Sequence, residues 1–131
     1  MRRSVVSCLY SILIAAMGCS GSTLDPSPIC TQELRPAVMV QVKDSLTNVG
    51  TASGASLVVR DATFTDSVAV PNARPDLNDR VLAAAGERAG VYQVTVSKPG
   101  YAKWVQSNVR VTKNECHVNT VNLTALLQPT G

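Results

Sequence analysis

Gly90-Val91-Tyr92-Gln93-Val94-Thr95-Val96-Ser97-Lys98-Pro99-Gly100-Tyr101 is the stretch whose reading decides the fold. Tyr92, Val94 and Val96 recur at every second position, the repeat of a strand with one buried face. Pro99-Gly100 then stops the strand, because glycine supplies the positive φ that a type II turn requires at its second central residue. The same alternation extends outward on both sides. Val38, Val40 and Val42 alternate with Met39, Gln41 and Lys43, a first strand that ends at the turn-forming segment Asp44 to Gly54. Ala55 to Arg60 and Phe64 to Val70, separated by Asp61-Ala62-Thr63, read as hairpin partners. Pro71 to Arg80 contains two prolines, two asparagines and two aspartates and reads as a loop. Val81 to Ala85 reads as a short strand and Trp104 to Val111 as the one after the Pro-Gly turn. In the last, Val118 to Leu127, the residues Val121, Leu123, Ala125 and Leu127 share a face while Val118 falls out of phase; a bulge near Asn119 would reconcile them.

Seven short strands with no sustained helical repeat predict an all-β fold, a seven-stranded antiparallel two-sheet sandwich. The Gly90 to Tyr101 stretch resembles the G-x-Y-x-V-x-V-x-x-P-G-Y signature of carboxypeptidase regulatory-like domains, which share the transthyretin (prealbumin)-like sandwich. Val38 to Asp44 with the following Thr47-Asn48 turn, and Ala55 to Val59 after it, are similar to that family's opening hairpin. The family often has Thr-Gly-x-Pro at this turn, where the chain has Thr47-Asn48-Val49-Gly50; asparagine tolerates positive φ and can stand in for glycine. The resemblance covers nearly the whole chain after the amino-terminal segment. It implies a non-catalytic folding or binding unit, with Tyr101 leaving the turn to lay its ring over the sandwich end.

The amino end carries a different message. Met1-Arg2-Arg3 precedes a mostly apolar run from Val5 to Met17, then Ala16-Met17-Gly18-Cys19 and an abrupt change to Ser20-Gly21-Ser22-Thr23. The run is too short to span a bilayer comfortably, which fits a cleaved export signal. Small residues before a cysteine resemble the lipobox of bacterial lipoproteins, and this implies cleavage after Gly18 and lipidation of Cys19. The chain departs from that pattern at Ala16 and Met17, and ordinary cleavage releasing a soluble periplasmic domain is the competing reading. Ser20, where aspartate would retain a Gram-negative lipoprotein in the inner membrane, implies sorting to the outer membrane. Each buried methylene contributes about 0.8 kcal/mol, so the two or three chains of such an anchor hold stably. The expected organisation is a signal over 1–18, a polar, proline-broken lipidated tether over 19–29, the sandwich over 30–127 and a tail over 128–131.

Cysteine usage agrees with export. Cys8 leaves with the signal and Cys19 carries lipid, so Cys30 and Cys116 remain as a pair in a disulfide-permissive compartment. Their bond would tie the chain entrance to the last strand. Closing a loop of about 87 residues contributes about 4.5 kcal/mol by chain entropy. Zinc or redox chemistry would need C-x-x-C or further ligands, and the sequence has neither.

Charge and motifs narrow the function. Without Arg2 and Arg3, ten of the twelve basic side chains remain against nine acidic ones, scattered without a cluster, so nucleic acid is not an expected partner. No nucleophile elbow, metalloprotease helix or phosphate loop occurs. Asp76 and Asp79 lie in a stretch like the start of a calcium loop, but Asp79 and Arg80 fall out of step with the ligand pattern, so a solvated loop without metal is expected. The lone histidine, His117, reads as a surface residue or turn hydrogen-bonder, and Arg88 as a partner for some carboxylate at the sandwich end. Trp104 and Tyr101 are the residues to suspect first of contacting a ligand or partner, with Asp76 and Asp79 after them. The expectation is therefore a non-catalytic envelope module without cofactor, attached to the membrane and binding an envelope protein or glycan. The alternative, a transthyretin-related hydrolase, would need several histidines and a Tyr-Arg-Gly-Ser ending, where this chain has one histidine and ends Gln128-Pro129-Thr130-Gly131.

Overall fold

The computed structural model describes residues 26–131. The expected signal, Cys19 and the first part of the tether lie outside the described residues. The fold is all-β, with seven strands: β1 (Pro36–Asp44), β2 (Ser56–Arg60), β3 (Thr65–Ala69), β4 (Val81–Gly86), β5 (Gly90–Ser97), β6 (Trp104–Val111) and β7 (Val121–Leu127). A single 3-10 turn, Pro75–Leu77, interrupts the loop between β3 and β4.

The strands form a three-stranded sheet in the order β4-β1-β7 and a four-stranded sheet in the order β3-β2-β5-β6. Their inward faces meet in one apolar core. Val38, Val40 and Val42 of β1, Leu57 and Val59 of β2, and Tyr92, Val94 and Val96 of β5 are all buried, joined by Leu82 of β4, Val109 of β6 and Ala125 and Leu127 of β7. Burying each such valine contributes about 1.5 to 2 kcal/mol relative to leaving it exposed. Tyr92 packs edge-on against Phe64 and satisfies its hydroxyl by donating to the Arg88 carbonyl at 2.8 Å.

Two expectations are corrected. The sandwich-like arrangement is not wholly antiparallel: β1 and β7 pair in parallel, from Val38 beside Val121 to Asp44 beside Leu127. The reason is that the chain crosses between sheets after β6 and enters β7 at the end where it entered β1. The bulge expected near Asn119 is absent. Val118 bridges Lys113 in a separate small turn, where the Asn119 amide donates to the Thr112 carbonyl at 2.8 Å. Its phase is therefore independent of β7, which starts at Val121. A bulge does occur in β6, where Tyr92 faces Val109 and Val94 faces Gln106, so Ser107 and Asn108 together oppose Gln93. Asn108 takes φ 57° there.

The turns behave as their residues require. Gly100 has φ 80° and Asn48 has φ 58°, so asparagine does take the left-handed position at the first turn. The carboxyl-terminal residues continue the pairing: Tyr101 bridges Pro129, and the Thr130 amide donates to the Gly100 carbonyl at 2.9 Å.

Candidate functional site

At the end of the molecule where β1 and β7 begin, Cys30 and Cys116 are joined, with their Cα atoms 5.2 Å apart. Around this bond Glu87, in the turn from β4 to β5, gathers donors from two other segments. Its carboxylate accepts from the Arg35 amide at 2.8 Å and from the Val118 amide at 3.3 Å, and it contacts His117 Nδ1 at 2.8 Å. A carboxylate only accepts, so Nδ1 carries a proton toward Glu87, while Nε2 lies 3.0 Å from the Thr31 hydroxyl. The Arg35 amide first, and the His117 ring second, hold the Glu87 carboxyl below its ordinary range. His117 is 9% exposed, so of its two expected roles the surface position is corrected, while that of turn hydrogen-bonder holds through Asn114. It is buried because it must reach both Glu87 and Thr31, while its own amide donates to Asn114 Oδ1 at 2.8 Å.

The hydroxyl, imidazole and carboxylate stand in the order used by acyl-transfer triads. Each belongs to a different segment, however: Thr31 to the chain entering β1, Glu87 to the β4–β5 turn and His117 to the lead into β7. The arrangement fastens these three to one another beside the disulfide. A groove of about 340 Å³ runs over it, lined by Thr31, Glu33, Leu34, Lys113 and Glu115 among others. No periodic signal in the sequence brings Thr31, Glu87 and His117 together, since Glu87 and Thr31 stand 30 and 86 positions from the histidine.

The suspected contact residues do not form one cluster. Tyr101 lies at the opposite end, where its hydroxyl donates to Asp44 Oδ2 at 2.9 Å and the Lys98 ammonium sits 5.7 Å from its ring centre. Asp44 also accepts from the Thr47 and Leu46 amides at 3.0 and 2.8 Å, and these donors together hold its carboxyl below the ordinary range. Lys98 donates to the Ser53 carbonyl. Trp104 opens β6, at the edge of the four-stranded sheet, and is half-buried against the core. Asp76 is engaged by Arg74, with contacts of 2.9 and 2.7 Å. Asp79 lies against Gly50, where a Cβ would overlap its carboxylate.

The loop that carries Asp76 and Asp79 is pinned down. Asn78 accepts from the Ala52 amide through its carbonyl and from the Ser53 amide through its side chain, while Ser53 Oγ accepts from the Arg74 amide at 2.9 Å. Arg88 finds Asp61 at 3.2 Å and stacks over Phe64, its carbon centre 4.4 Å from the ring. That carboxylate stands 27 residues away in sequence, which is why spacing alone could not select it.

A second groove, of about 350 Å³, lies on the outward face of the four-stranded sheet. It is lined by Val58 and Arg60 of β2, Gln93, Thr95 and Ser97 of β5, Lys103, and Val105 of β6. Sequence reasoning did not single these out. The available signal was the polar half of the alternation that buries Tyr92, Val94 and Val96.

Among the described residues no three His, Cys, Asp or Glu side chains gather into a metal-holding group. No described helix is long and apolar enough to cross a membrane. No family model matches the chain, and the search of curated proteins finds no similar sequence.

Proposed function

We propose that the chain is a bacterial outer-membrane lipoprotein, anchored through Cys19, whose transthyretin-like sandwich of the carboxypeptidase regulatory-like kind is a non-catalytic module for an envelope protein or glycan. The observation that carries this reading is the Cys30–Cys116 bond. Disulfides persist in oxidising compartments and are rare in the cytosol, so a structural disulfide accords with the export signal read at the amino end. Its position adds to the argument: Cys30 follows the polar tether directly, so the bond fastens the domain at the point where an anchor would attach. The Gly90 to Tyr101 stretch supports the family reading, since its alternate side chains are buried, Gly100 has φ 80° and Tyr101 turns to Asp44. The Glu87–His117–Thr31 chain is assigned to structure, because its members hold three segments together at the same place as the disulfide.

Intact mass spectrometry of membrane-extracted protein, with and without reductant and beside a Cys19→Ala variant, tests the proposal. The expected species is cleaved before Cys19, carries acyl chains that the variant lacks, and gains two hydrogen atoms on reduction. An unacylated soluble species would remove the anchor and leave a periplasmic domain. A mass that reduction does not change would remove export as well.

A further inference from the structure

The outward face of the four-stranded sheet has a charge pattern that the core does not require. Arg60 and Lys103 both line its groove, and Arg110 extends the same face, because it stands opposite the outward Val91. Ion pairs among the described residues engage Arg35, Arg74 and Arg88, and none of these three cations. The groove lining contains no carboxylate. On the three-stranded sheet the corresponding groove is lined by Met39, Gln41, Val81, Asn122, Leu123 and Thr124, with no charge at all. Of the two grooves, only the one on the four-stranded sheet is lined by cations; on the other face Lys43 lies outside the groove lining.

The spacing selects among anions. Arg60 stands opposite Gln93, and Trp104 opposite Val96, which puts Lys103 level with Ser97. Gln93 and Ser97 are four positions apart on β5, about 13 Å at the rise of a strand. Because β5 also lies between Arg60 and Lys103, their two backbone positions are about 16 Å apart, a span that a polymer bearing charges at intervals covers with both side chains extended. Between the cations lie the amide of Gln93 and the hydroxyls of Thr95 and Ser97, which supply donors and acceptors for a hydroxyl-bearing ligand. Val58 and Val105 are the apolar residues of the lining, and acyl chains laid over it would bury its polar groups without partners.

We propose that this groove binds an acidic polysaccharide, with Arg60 and Lys103 receiving carboxylates on separate sugar units and Gln93, Thr95 and Ser97 receiving hydroxyls between them. The inference rests on the reading of the domain as a binding module and names the chemistry of its partner.

The test uses the full membrane-extracted chain in neutral detergent, titrated with oligogalacturonate, with a neutral galactan oligosaccharide, and with phosphatidylglycerol vesicles. The expected result is binding of oligogalacturonate alone, weakened about tenfold between low and physiological salt. Arg60→Ala with Lys103→Ala should lose a further tenfold or about that, through two charge-assisted contacts. Arg60→Lys with Lys103→Arg should bind nearly as wild type. The disulfide and melting temperature of each variant confirm that it is folded. Absence of oligogalacturonate binding, equal binding of the neutral oligosaccharide, or indifference to the double alanine variant overturns the inference. Binding only to the anionic vesicles overturns it in favour of a lipid surface. Failure of the broader reading is distinguishable, because it shows in the mass spectrum as a missing acyl group or disulfide before any titration.

Discussion

One carboxylate closes each end of β1, and the two are assembled in different ways. Asp44 takes two of its donors from amides two and three residues further on, and only Tyr101 comes from afar, 57 positions away. Glu87 takes all its donors from a distance: Arg35 at 52 residues, Val118 at 31 and His117 at 30. The Asp44 end can therefore form as soon as its turn does. The Glu87 end needs three segments brought together first, which carries a larger loop-closure entropy. The disulfide stands at that end, where it keeps two of the three segments in place even in the unfolded chain.

The largest effect should come from removing that covalent help. Cys30→Ser with Cys116→Ser opens a loop spanning 86 residues and should destabilise the domain by about 4.5 kcal/mol, read from urea unfolding of oxidised wild type beside the variant. A loss below about 1 kcal/mol would mean that the Glu87 network closes this end unaided.

Next in size is Glu87→Gln, which keeps the shape but removes the charge that three donors surround. Both carboxylates have folded-state values below their ordinary ones, 4.5 for Glu87 and 3.8 for Asp44. Their contribution is complete above those ordinary values and is lost as pH falls through the lowered ones. Melting temperature should therefore decline below about pH 4.5, and the decline should be shallower in Glu87→Gln, with the Asp44 share remaining. An unchanged acid profile would show that Glu87 acts through its backbone position alone.

The smallest effect belongs to the local end. Tyr101→Phe removes the one distant donor to Asp44 and should cost about 1 kcal/mol in the same unfolding measurement. The Asp44 turn should survive, since the Leu46 and Thr47 amides remain. A loss as large as that of the cysteine pair would erase the contrast between the ends.

This contrast also explains what was legible in the sequence. The strands were, because alternation is local: Trp104–Val111 matches the reading residue for residue, and the others agree within a few positions. The turn at Asp44 and the left-handed Asn48 were legible for the same reason. Val118 was visibly out of step, but the cause lay in a small turn built by Asn114, whose side chain accepts from the Cys116 and His117 amides. The parallel pairing of β1 with β7 was not read from the sequence: a bond between residues preceding both strands places both starts at one end, but which strands become neighbours is set by the finished sheet. The Glu87, His117 and Thr31 chain was not legible, because it joins segments that only the finished topology brings together. The basic groove was legible as a set of outward positions, yet its freedom from acidic neighbours depends on which strands lie side by side.

The joined starts of β1 and β7 have a mechanical consequence. Tension applied to the chain ahead of Cys30 passes through the sulfur bridge to Cys116, so both strands are drawn from the same end. Parallel neighbours pulled together are not peeled apart one hydrogen bond at a time. The load is shared across the three-stranded sheet, and a domain held at that point resists unzipping in the direction from which it is pulled.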